Sequence, residues 1–310
     1  MKIIKGIRTL KKPIGPSVLT IGVFDGIHIG HRKIIGNVVR KAAARALKSV
    51  VVTFDPHPLK VVKPGAAIPS LLSIGHRARL IEELGVDVLV ILKFTKAMAR
   101  ISPEEFVRDI LVGKLGAGEI CVGNNFYFGR GGRAGIKQLE ALGRAYGFRV
   151  NVMGSVRARG AAVSSSRIRR LITTGRLREA AKMLGRRVSV LGTVVGGARL
   201  ARELGYPTAN LNPHHEVIPP GGVYAVFVRY EGRIYKGVLN IGLRPTFYAP
   251  RDREPAIEVH VFGFKKKIYG RDLEALFVKK LREEKAFPDK SALVAQIRAD
   301  EKEARLTLRY

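Results

Sequence analysis

Short apolar runs alternate with amphipathic segments through the first half of the chain. Five runs rich in β-branched residues predict strands, at residues 18–23, 49–54, 87–92, 119–122 and 148–152. Helical patterns lie between or beside them, at residues 34–47, 77–84, 103–111 and 136–146. This alternation predicts an α/β doubly wound, Rossmann-like domain built on a parallel sheet.

The pattern changes after two further helical segments, at residues 164–174 and 176–184. Apolar runs typical of strands follow, at residues 188–195, 223–230, 233–241, 256–262 and 273–279. A last helical pattern covers residues 289–305, with Leu293, Ile297 and Ala304 on one side. Many short strands and one closing helix predict a small β-barrel domain with a C-terminal helix. We therefore predict two domains, residues 1–185 and 186–310.

Composition is consistent with a globular protein of two domains. The chain has 310 residues and 46% hydrophobic content, enough to bury a sizeable core. No stretch approaches the roughly 18 to 20 apolar residues of a membrane helix, and the N-terminal lysines precede no apolar leader segment. We expect a cytoplasmic protein without membrane association. The single cysteine, Cys121, lies in an apolar run and is expected to be buried.

The net charge of +31 is unusual for an enzyme, and residues 1–185 carry most of the excess. A positive field attracts anionic substrates, but it would attract nucleic acid as well. The basic residues are spread along the chain, and the aromatic content of 7% includes no tryptophan that could stack on single strands. We expect no specific nucleic-acid partner, and the sequence gives no oligomeric state.

One motif joins the first predicted strand to the helix that follows it. It reads Gly22-Val-Phe-Asp-Gly-Ile-His-Ile-Gly-His31, a glycine-rich turn with two histidines. A helix start offers unpaired N–H groups and roughly half a positive charge, and glycines let a phosphate approach the backbone. His28 and His31 can both reach one triphosphate because they are three residues apart. The motif predicts nucleotidyl transfer without a covalent intermediate; the simpler alternative is that a histidine caps the helix.

Two more polar loops follow predicted strands, and a serine-rich segment precedes a predicted helix. The loops are Phe54-Asp-Pro-His-Pro58 and Gly123-Asn-Asn-Phe-Tyr-Phe-Gly129, and the segment is Val163-Ser-Ser-Ser-Arg-Ile-Arg169. Ligands bind doubly wound sheets at the carboxyl ends of the strands, so the loops are expected at the same edge as the histidine motif. Hydroxyls, N–H groups and guanidinium groups at a helix start suit phosphate oxygens, although serines at such a position also act as simple caps.

Taken in order along nearly the whole chain, these motifs resemble those of the bacterial bifunctional riboflavin kinase/FAD synthetase family. The resemblance also rests on Leu204-Gly-Tyr-Pro-Thr-Ala-Asn-Leu211 and on the later strings Gly-Val-Tyr-Ala, Asn-Ile-Gly-x-Arg-Pro-Thr-Phe and Tyr-Gly-x-x-Leu. It implies that the N-terminal domain adenylylates FMN to FAD and that the C-terminal barrel phosphorylates riboflavin to FMN. Both reactions would use ATP and Mg²⁺.

The resemblance implies specific residue roles in the N-terminal domain. His28 and His31 would be catalytic and would bind the ATP phosphates and the departing pyrophosphate. The nucleotide site would contain Gly22, Phe24, Asp25, Gly30, Asn125, Ser164, Ser165, Arg167 and Arg169.

In the C-terminal domain the resemblance implies that Glu258 is the general base for the riboflavin 5′-hydroxyl. Thr208 and Asn210 would hold Mg²⁺ together with ATP oxygens, which are the hard ligands this ion prefers. The ATP and flavin sites would contain Gly205, Pro207, Thr208, Asn210, Asn240, Arg244 and Thr246. Strand alternation puts Glu258 and His260 on one face, so a structural role for this carboxylate is the alternative.

Two positions depart from the family pattern. Ala201 stands where a glycine is usual in a phosphate-covering loop, and Gly263 stands where an acidic residue is frequent. The first departure leaves open an FMN adenylyltransferase with an impaired kinase domain. A basic nucleic-acid-binding protein on an enzyme fold is a third hypothesis, and a nucleotidyltransferase for pantetheine phosphate or a sugar phosphate is a fourth. The barrel motifs argue against the fourth.

Overall fold

The computed structural model describes residues 1–10, 12–65, 69–158, 160–196, 205–214, 216–243 and 255–309. Contacts within the chain divide it into two compact units. The first contains Met1–Ser70 and Ile74–Ser165, and the second contains Leu71–Ser73 and the residues from Ser166 onward. The boundary that we predict at residue 185 divides the two functional domains, whereas these units are defined by contacts, so that boundary stays a prediction. Within the described ranges, every helix falls short of the length and hydrophobicity that a bilayer crossing requires.

The first unit is built on a six-stranded parallel sheet. Its strands are β1 (Lys2–Lys5), β2 (Ser17–Ile21), β3 (Lys48–Asp55), β4 (Val88–Lys93), β5 (Ala117–Gly123) and β6 (Arg149–Met153). Their order across the sheet is β1-β4-β3-β2-β5-β6, and all neighbours are parallel. The chain reverses direction across the sheet between β2 and β5, so these two strands form the switch point at which such sheets bind ligands.

Helices connect the strands of this sheet. They are α1 (Ile29–Ala43), α2 (Pro58–Val62), α3 (Ile74–Glu82), α4 (Pro103–Glu105), which continues as a π-helical turn (Phe106–Val112), and α5 (Ile136–Tyr146). A two-stranded ribbon, β7 (Arg157–Ala158) with β8 (Ala161–Ala162), follows β6.

Both faces of the sheet are buried, which explains why its strands are continuous apolar runs. On one face Leu19 and Val52 belong to a large core cluster that includes Leu111 and Leu139. On the other face, the alternate residues Val18 and Cys121 pack against Val38 and Ala42 of α1. The doubly wound architecture predicted from the sequence is confirmed.

The second unit contains a closed antiparallel barrel. Its helices are α6 (Ser165–Thr173), which begins at the last residue of the first unit, α7 (Leu177–Leu184) and α8 (Lys290–Thr307). The strands are β9 (Ser189–Val195), β10 (Ala209–Asn212), β11 (Gly222–Tyr230), β12 (Arg233–Leu243), β13 (Pro255–Val261) and β14 (Asp272–Arg282). The barrel closes in the order β10-β13-β12-β11-β14-β9.

Helix α8 covers the outer face of the barrel. Ala304 and Leu308 at its C-terminal end pack against Ala225, Phe227 and Phe262. Tyr224 and Val226, which alternate with Ala225 and Phe227 along β11, are fully buried and therefore fill the barrel interior. The predicted barrel with a C-terminal helix is confirmed.

The sequence pattern did not predict four of the strands, which are β1, β10 and the two short strands β7 and β8 of the ribbon, and it misplaced one helix start. Strand β1 has four residues and pairs with β4 at the edge of the sheet, and β10 has four residues that carry no predicted element. Both strands are defined by hydrogen bonds to distant partners rather than by a local pattern. Helix α1 begins at Ile29, ahead of the predicted residue 34, because its first turn is polar and glycine-containing.

Candidate active sites

The loop between β2 and α1 lies at the switch point of the sheet. Its backbone turns sharply, with positive φ at Phe24 (50°), Gly26 (94°) and Ile27 (39°). His28 is the N-cap of α1, and its Nδ1 accepts a hydrogen bond from the backbone N–H of His31 at 3.3 Å. The capping alternative therefore holds for His28 Nδ1. Its Nε2 is not used by this cap.

The imidazole rings of His28 and His31 are stacked, with centroids 3.6 Å apart and planes at 19°. The ring of Phe24 contacts His31 edge-on at 5.2 Å. A Cβ atom at Gly22 would lie 3.1 Å from the Phe24 ring, and one at Gly30 would lie 3.2 Å from the His28 ring. These two glycines therefore make room for the aromatic stack, a reason that the sequence alone did not suggest.

Burial lowers the pKa of His31 well below its usual value of 6.5, and the nearby charges of His28 and Arg77 add to the effect. The ring is accordingly neutral at neutral pH. Its Nδ1 atom is buried and has no hydrogen-bond partner among the described residues. A buried nitrogen of this kind is costly to leave unpaired, which is typical of a group that meets a ligand.

The serine-rich segment approaches the same loop. Ser165 Oγ donates a hydrogen bond to the backbone carbonyl of Asp25 at 2.7 Å, and the Asp25 residue is buried. Ser164 is exposed beside it. Arg167 and Arg169 follow on α6, within the second unit.

Asn125 is exposed in the loop that follows β5. The histidine motif follows β2, and the segment Phe54-Asp-Pro-His-Pro58 covers the last two residues of β3 and the turn into α2. Because β3, β2 and β5 are adjacent and parallel, all three loops leave the same edge of the sheet. This confirms the common edge predicted from the sequence.

In the barrel, Glu258 lies between two asparagines of neighbouring strands. It is directly opposite Asn210 of β10 and Asn240 of β12. Opposed residues in an antiparallel ladder share a face, so the three side chains form one row across three strands. The row continues to Val223 on β11 and to Arg282 on β14.

A cavity of about 310 Å³ opens on this face of the barrel and reaches α8. Thr208, Asn240 and Glu258 line it, as does His260, which the alternation of β13 puts on the same face. Since the carbonyl of Pro207 can only accept, His260 Nδ1 donates to it at 2.9 Å. Gly205 has a φ of 85°, which a residue with a side chain rarely adopts. The volume of the cavity is typical of a small-molecule site.

Several residues of the cavity wall were missed by sequence reasoning. Arg282, Phe287 and Asp300 line the cavity, together with Tyr206, Glu284, Lys285 and Glu301. Arg282 pairs with Asp300 of α8, with Nη2 and Oδ2 2.8 Å apart. In the sequence the charged residues among these resemble any solvated face, whereas Leu293 and Ile297, which also line the cavity, belong to the periodic pattern of the last helix.

Three sequence predictions fall on positions that the structure does not describe. Arg244, Thr246 and Ala201 lie outside the described residues. Gly263, the other departure, lies in the turn after β13 with a φ of 67°, a conformation that favours glycine. The backbone therefore accounts for the glycine at this position.

Fold and site together define a class: a nucleotide-binding α/β domain followed by a barrel with a ligand cavity on its helix-covered face. Residues 11–167 match the FAD synthetase family, and residues 184–308 match the riboflavin kinase family. The chain belongs to the bifunctional riboflavin kinase/FMN adenylyltransferase family.

Curated relatives with that description match nearly end to end. The Escherichia coli K12 protein is 35% identical over 98% of this chain and 97% of its own length. The Pseudomonas fluorescens protein is 36% identical over the same shares of the two chains. The Bacillus subtilis protein is 33% identical over 95% of this chain and 93% of its own.

A solved structure titled as a macrolide-efflux protein from Streptococcus pneumoniae shares the fold, with a TM-score of 0.83 and 29% identity. The match covers 98% of this chain and 99% of that one.

The predicted pair of activities, riboflavin kinase and FMN adenylyltransferase, is confirmed over the alternatives, because both family regions are present in the expected order. ATP, riboflavin, FMN and FAD are the substrates and products that these activities entail.

Proposed function

We propose that FMN is adenylylated at the loop between β2 and α1, with His28 and His31 as the catalytic residues. The observation that carries this assignment is the stacked imidazole pair at the start of α1, in which the buried Nδ1 atom of His31 has no partner among the described residues. Backbone N–H groups of the first turn and the helix dipole add donors for phosphate oxygens.

The reaction at this site needs no covalent intermediate. A phosphate oxygen of FMN attacks the α-phosphorus of ATP, the bond to the β-phosphate oxygen breaks, and pyrophosphate leaves with the electron pair. His28 Nε2 and the neutral His31 ring donate hydrogen bonds to the charge that develops on these oxygens. Asp25, Ser164, Ser165 and Asn125 are the polar groups we assign to orienting the nucleotides, and Phe24 is the apolar wall. Arg167 and Arg169 are assigned to phosphate binding from the motif.

We assign riboflavin phosphorylation to the barrel cavity, with Glu258 as the general base. Glu258 accepts the proton of the riboflavin 5′-hydroxyl as that oxygen attacks the γ-phosphorus of ATP, and ADP leaves. Asn210 and Asn240 are in register with Glu258 on both sides, so they can hold the carboxylate in place.

The residues present fit a Mg²⁺ ion held jointly by protein and ATP. The structure describes no cluster of three or more His, Cys, Asp or Glu side chains suited to a metal. Thr208 and Asn210 offer the hydroxyl and amide oxygens that Mg²⁺ accepts alongside water and phosphate oxygens. When bound, the ion neutralises charge on the transferred phosphate. The cytoplasm, where ATP is abundant, is the location we propose for both reactions.

The test measures each activity in variants of each site. Purified proteins are incubated with ATP and Mg²⁺ and with either riboflavin or FMN, and the flavins are separated by chromatography. Glu258→Gln should lower FMN formation from riboflavin by roughly 10² to 10⁴ while FAD formation from FMN continues. His28→Asn keeps a good helix cap. This variant should lower FAD formation from FMN while FMN formation from riboflavin continues. Wild-type riboflavin phosphorylation by the Glu258 variant would refute the assignment of the base.

A further inference from the structure

A buried hydrogen-bond chain leads from α3 to the histidine loop. Thr53, on β3, donates its hydroxyl proton to the backbone carbonyl of Val23 at 2.9 Å. The same hydroxyl oxygen accepts a hydrogen bond from Arg77 Nη1 of α3 at 3.0 Å. Arg77 Nη1 also donates to the carbonyl of Phe54 at 3.2 Å. Thr53 and Arg77 are both buried, with 0% and 4% exposure.

The chemistry of these groups allows one orientation only. A guanidinium is always a donor and a carbonyl is always an acceptor, so the single hydroxyl proton of Thr53 must point at Val23. Val23 lies between Gly22 and Phe24, at the start of the loop whose backbone adopts unusual φ angles. The chain of hydrogen bonds therefore fixes the point from which that loop departs from the sheet.

Arg77 also acts on the histidine pair through its charge. Its guanidinium stays protonated at any physiological pH, and it is one of the charges that keep His31 neutral. A fixed cation at this edge supplies positive potential without requiring a protonated histidine. A buried guanidinium is costly unless hydrogen bonds compensate for lost hydration, and the bonds to Thr53 and to the Phe54 carbonyl do so here.

We propose that Arg77 and Thr53 are positioning residues for FMN adenylylation, which hold the Val23 carbonyl and thereby set the places of Phe24, His28 and His31. The proposal rests on the assignment of that reaction to His28 and His31. Neither residue is needed for riboflavin phosphorylation.

The test compares two isosteric pairs in the full-length protein. Thr53→Val removes the hydroxyl and keeps the shape, whereas Thr53→Ser keeps the hydroxyl. Arg77→Met removes the charge, whereas Arg77→Lys keeps it without the planar fork. We expect Thr53→Val and Arg77→Met to lower kcat for FAD formation from FMN by roughly 10- to 100-fold, with little change in KM for ATP, because misplaced catalytic groups impair the reaction more than binding. Thr53→Ser should restore most of the rate.

A matched control lies at the opposite end of the same strand. Ser49 is buried on β3, and its hydroxyl exchanges hydrogen bonds with Asp87 at 2.8 and 2.9 Å. Ser49→Ala should lower the melting temperature while leaving kcat for FAD formation unchanged. A loss of kcat in Ser49→Ala equal to that in Thr53→Val would overturn the proposal, because the effect would then be one of general stability.

An independent readout is the titration of His31 followed by NMR of its ring protons. Arg77→Met should raise the pKa of His31, and Thr53→Ser should leave it unchanged. An unchanged pKa in Arg77→Met contradicts the electrostatic part of the proposal.

If Thr53→Val or Arg77→Met does not fold, Arg77→Lys is the deciding variant. A kcat for FAD formation equal to the wild-type value in Arg77→Lys overturns the positioning role. His28→Asn separates a failure of the positioning proposal from a failure of the assigned site. Undiminished FAD formation by that variant refutes the assignment of the reaction to this site.

Discussion

Replacing Asp300 with asparagine should weaken the attachment of α8 to the barrel and reduce the affinity for riboflavin. Asp300 accepts hydrogen bonds from Arg282 Nε at 3.0 and 3.1 Å and from Nη2 at 2.8 Å, and from Gln296 Nε2 at 2.8 Å. The side chains of Arg282 and Asp300 are only 21% and 8% exposed. The substitution therefore leaves a largely buried guanidinium without its counter-charge.

The magnitude follows from this burial. Breaking a buried ion pair by removing one partner costs about 3 to 5 kcal/mol, and the partial exposure of Arg282 favours the lower end, about 3 kcal/mol. For a unit of this size such a loss lowers the melting temperature by about 10 °C. Because both residues line the cavity to which we assign riboflavin phosphorylation, KM for riboflavin should rise while FAD formation from FMN keeps its kcat.

A second ion pair between the same two elements provides the control. Lys279 of β14 and Glu303 of α8 are 2.9 Å apart, but their side chains are 50% and 47% exposed. Glu303→Gln should therefore cost less than about 1 kcal/mol. Thermal unfolding and kinase kinetics of the two variants, measured side by side, check the reasoning. Equal losses of stability in Asp300→Asn and Glu303→Gln would refute it.

Three further predictions concern the first unit. The unfolded chain binds a proton at His31 near pH 6.5 and the folded chain only at lower pH, so stability falls as the pH drops below 6.5. Between pH 7.5 and 5.5 the melting temperature should therefore fall less for His31→Gln than for the wild-type protein. An equal fall in the two proteins contradicts this. Burial raises the pKa of Cys121 to about 11, so iodoacetamide should label it only after unfolding, as mass spectrometry would detect. Gly36→Ala, in open space on α1, should stabilise by about 0.5 to 1 kcal/mol. Gly143→Ala should destabilise by about 1 to 3 kcal/mol in denaturant titrations, since its Cβ would lie 2.7 Å from the Phe148 carbonyl oxygen; the opposite order of the two variants would contradict the geometry.

The fold was largely predictable because its strands are apolar on both faces and its helices are amphipathic. The histidine motif could be placed correctly because it follows β2, and a parallel sheet gathers such loops at one edge. The alternation of side chains along a strand was enough to place Glu258 and His260 on the same face. These are features in which local pattern and tertiary position coincide.

The remaining parts of the sites depend on long-range contacts that leave no local signal. Arg77 lies in an ordinary helical pattern, and only the folded chain shows that it reaches Thr53. The row from Asn210 through Glu258 to Asn240 depends on the register of three strands, and the sequence pattern does not predict the strand that carries Asn210. Gly22 and Gly30 were explained by phosphate approach, whereas the structure shows them making room for aromatic rings.

A mixing experiment tests most directly the central claim that two separate sites act in sequence. His28→Asn and Glu258→Gln proteins are incubated with riboflavin, ATP and Mg²⁺, each alone and then together, and the flavins are separated by chromatography. We predict that His28→Asn alone accumulates FMN, that Glu258→Gln alone leaves riboflavin unchanged, and that the mixture makes FAD, because FMN released from one protein is used by the other. FAD formation by either variant alone at the wild-type rate, or no FAD from the mixture, would contradict the account.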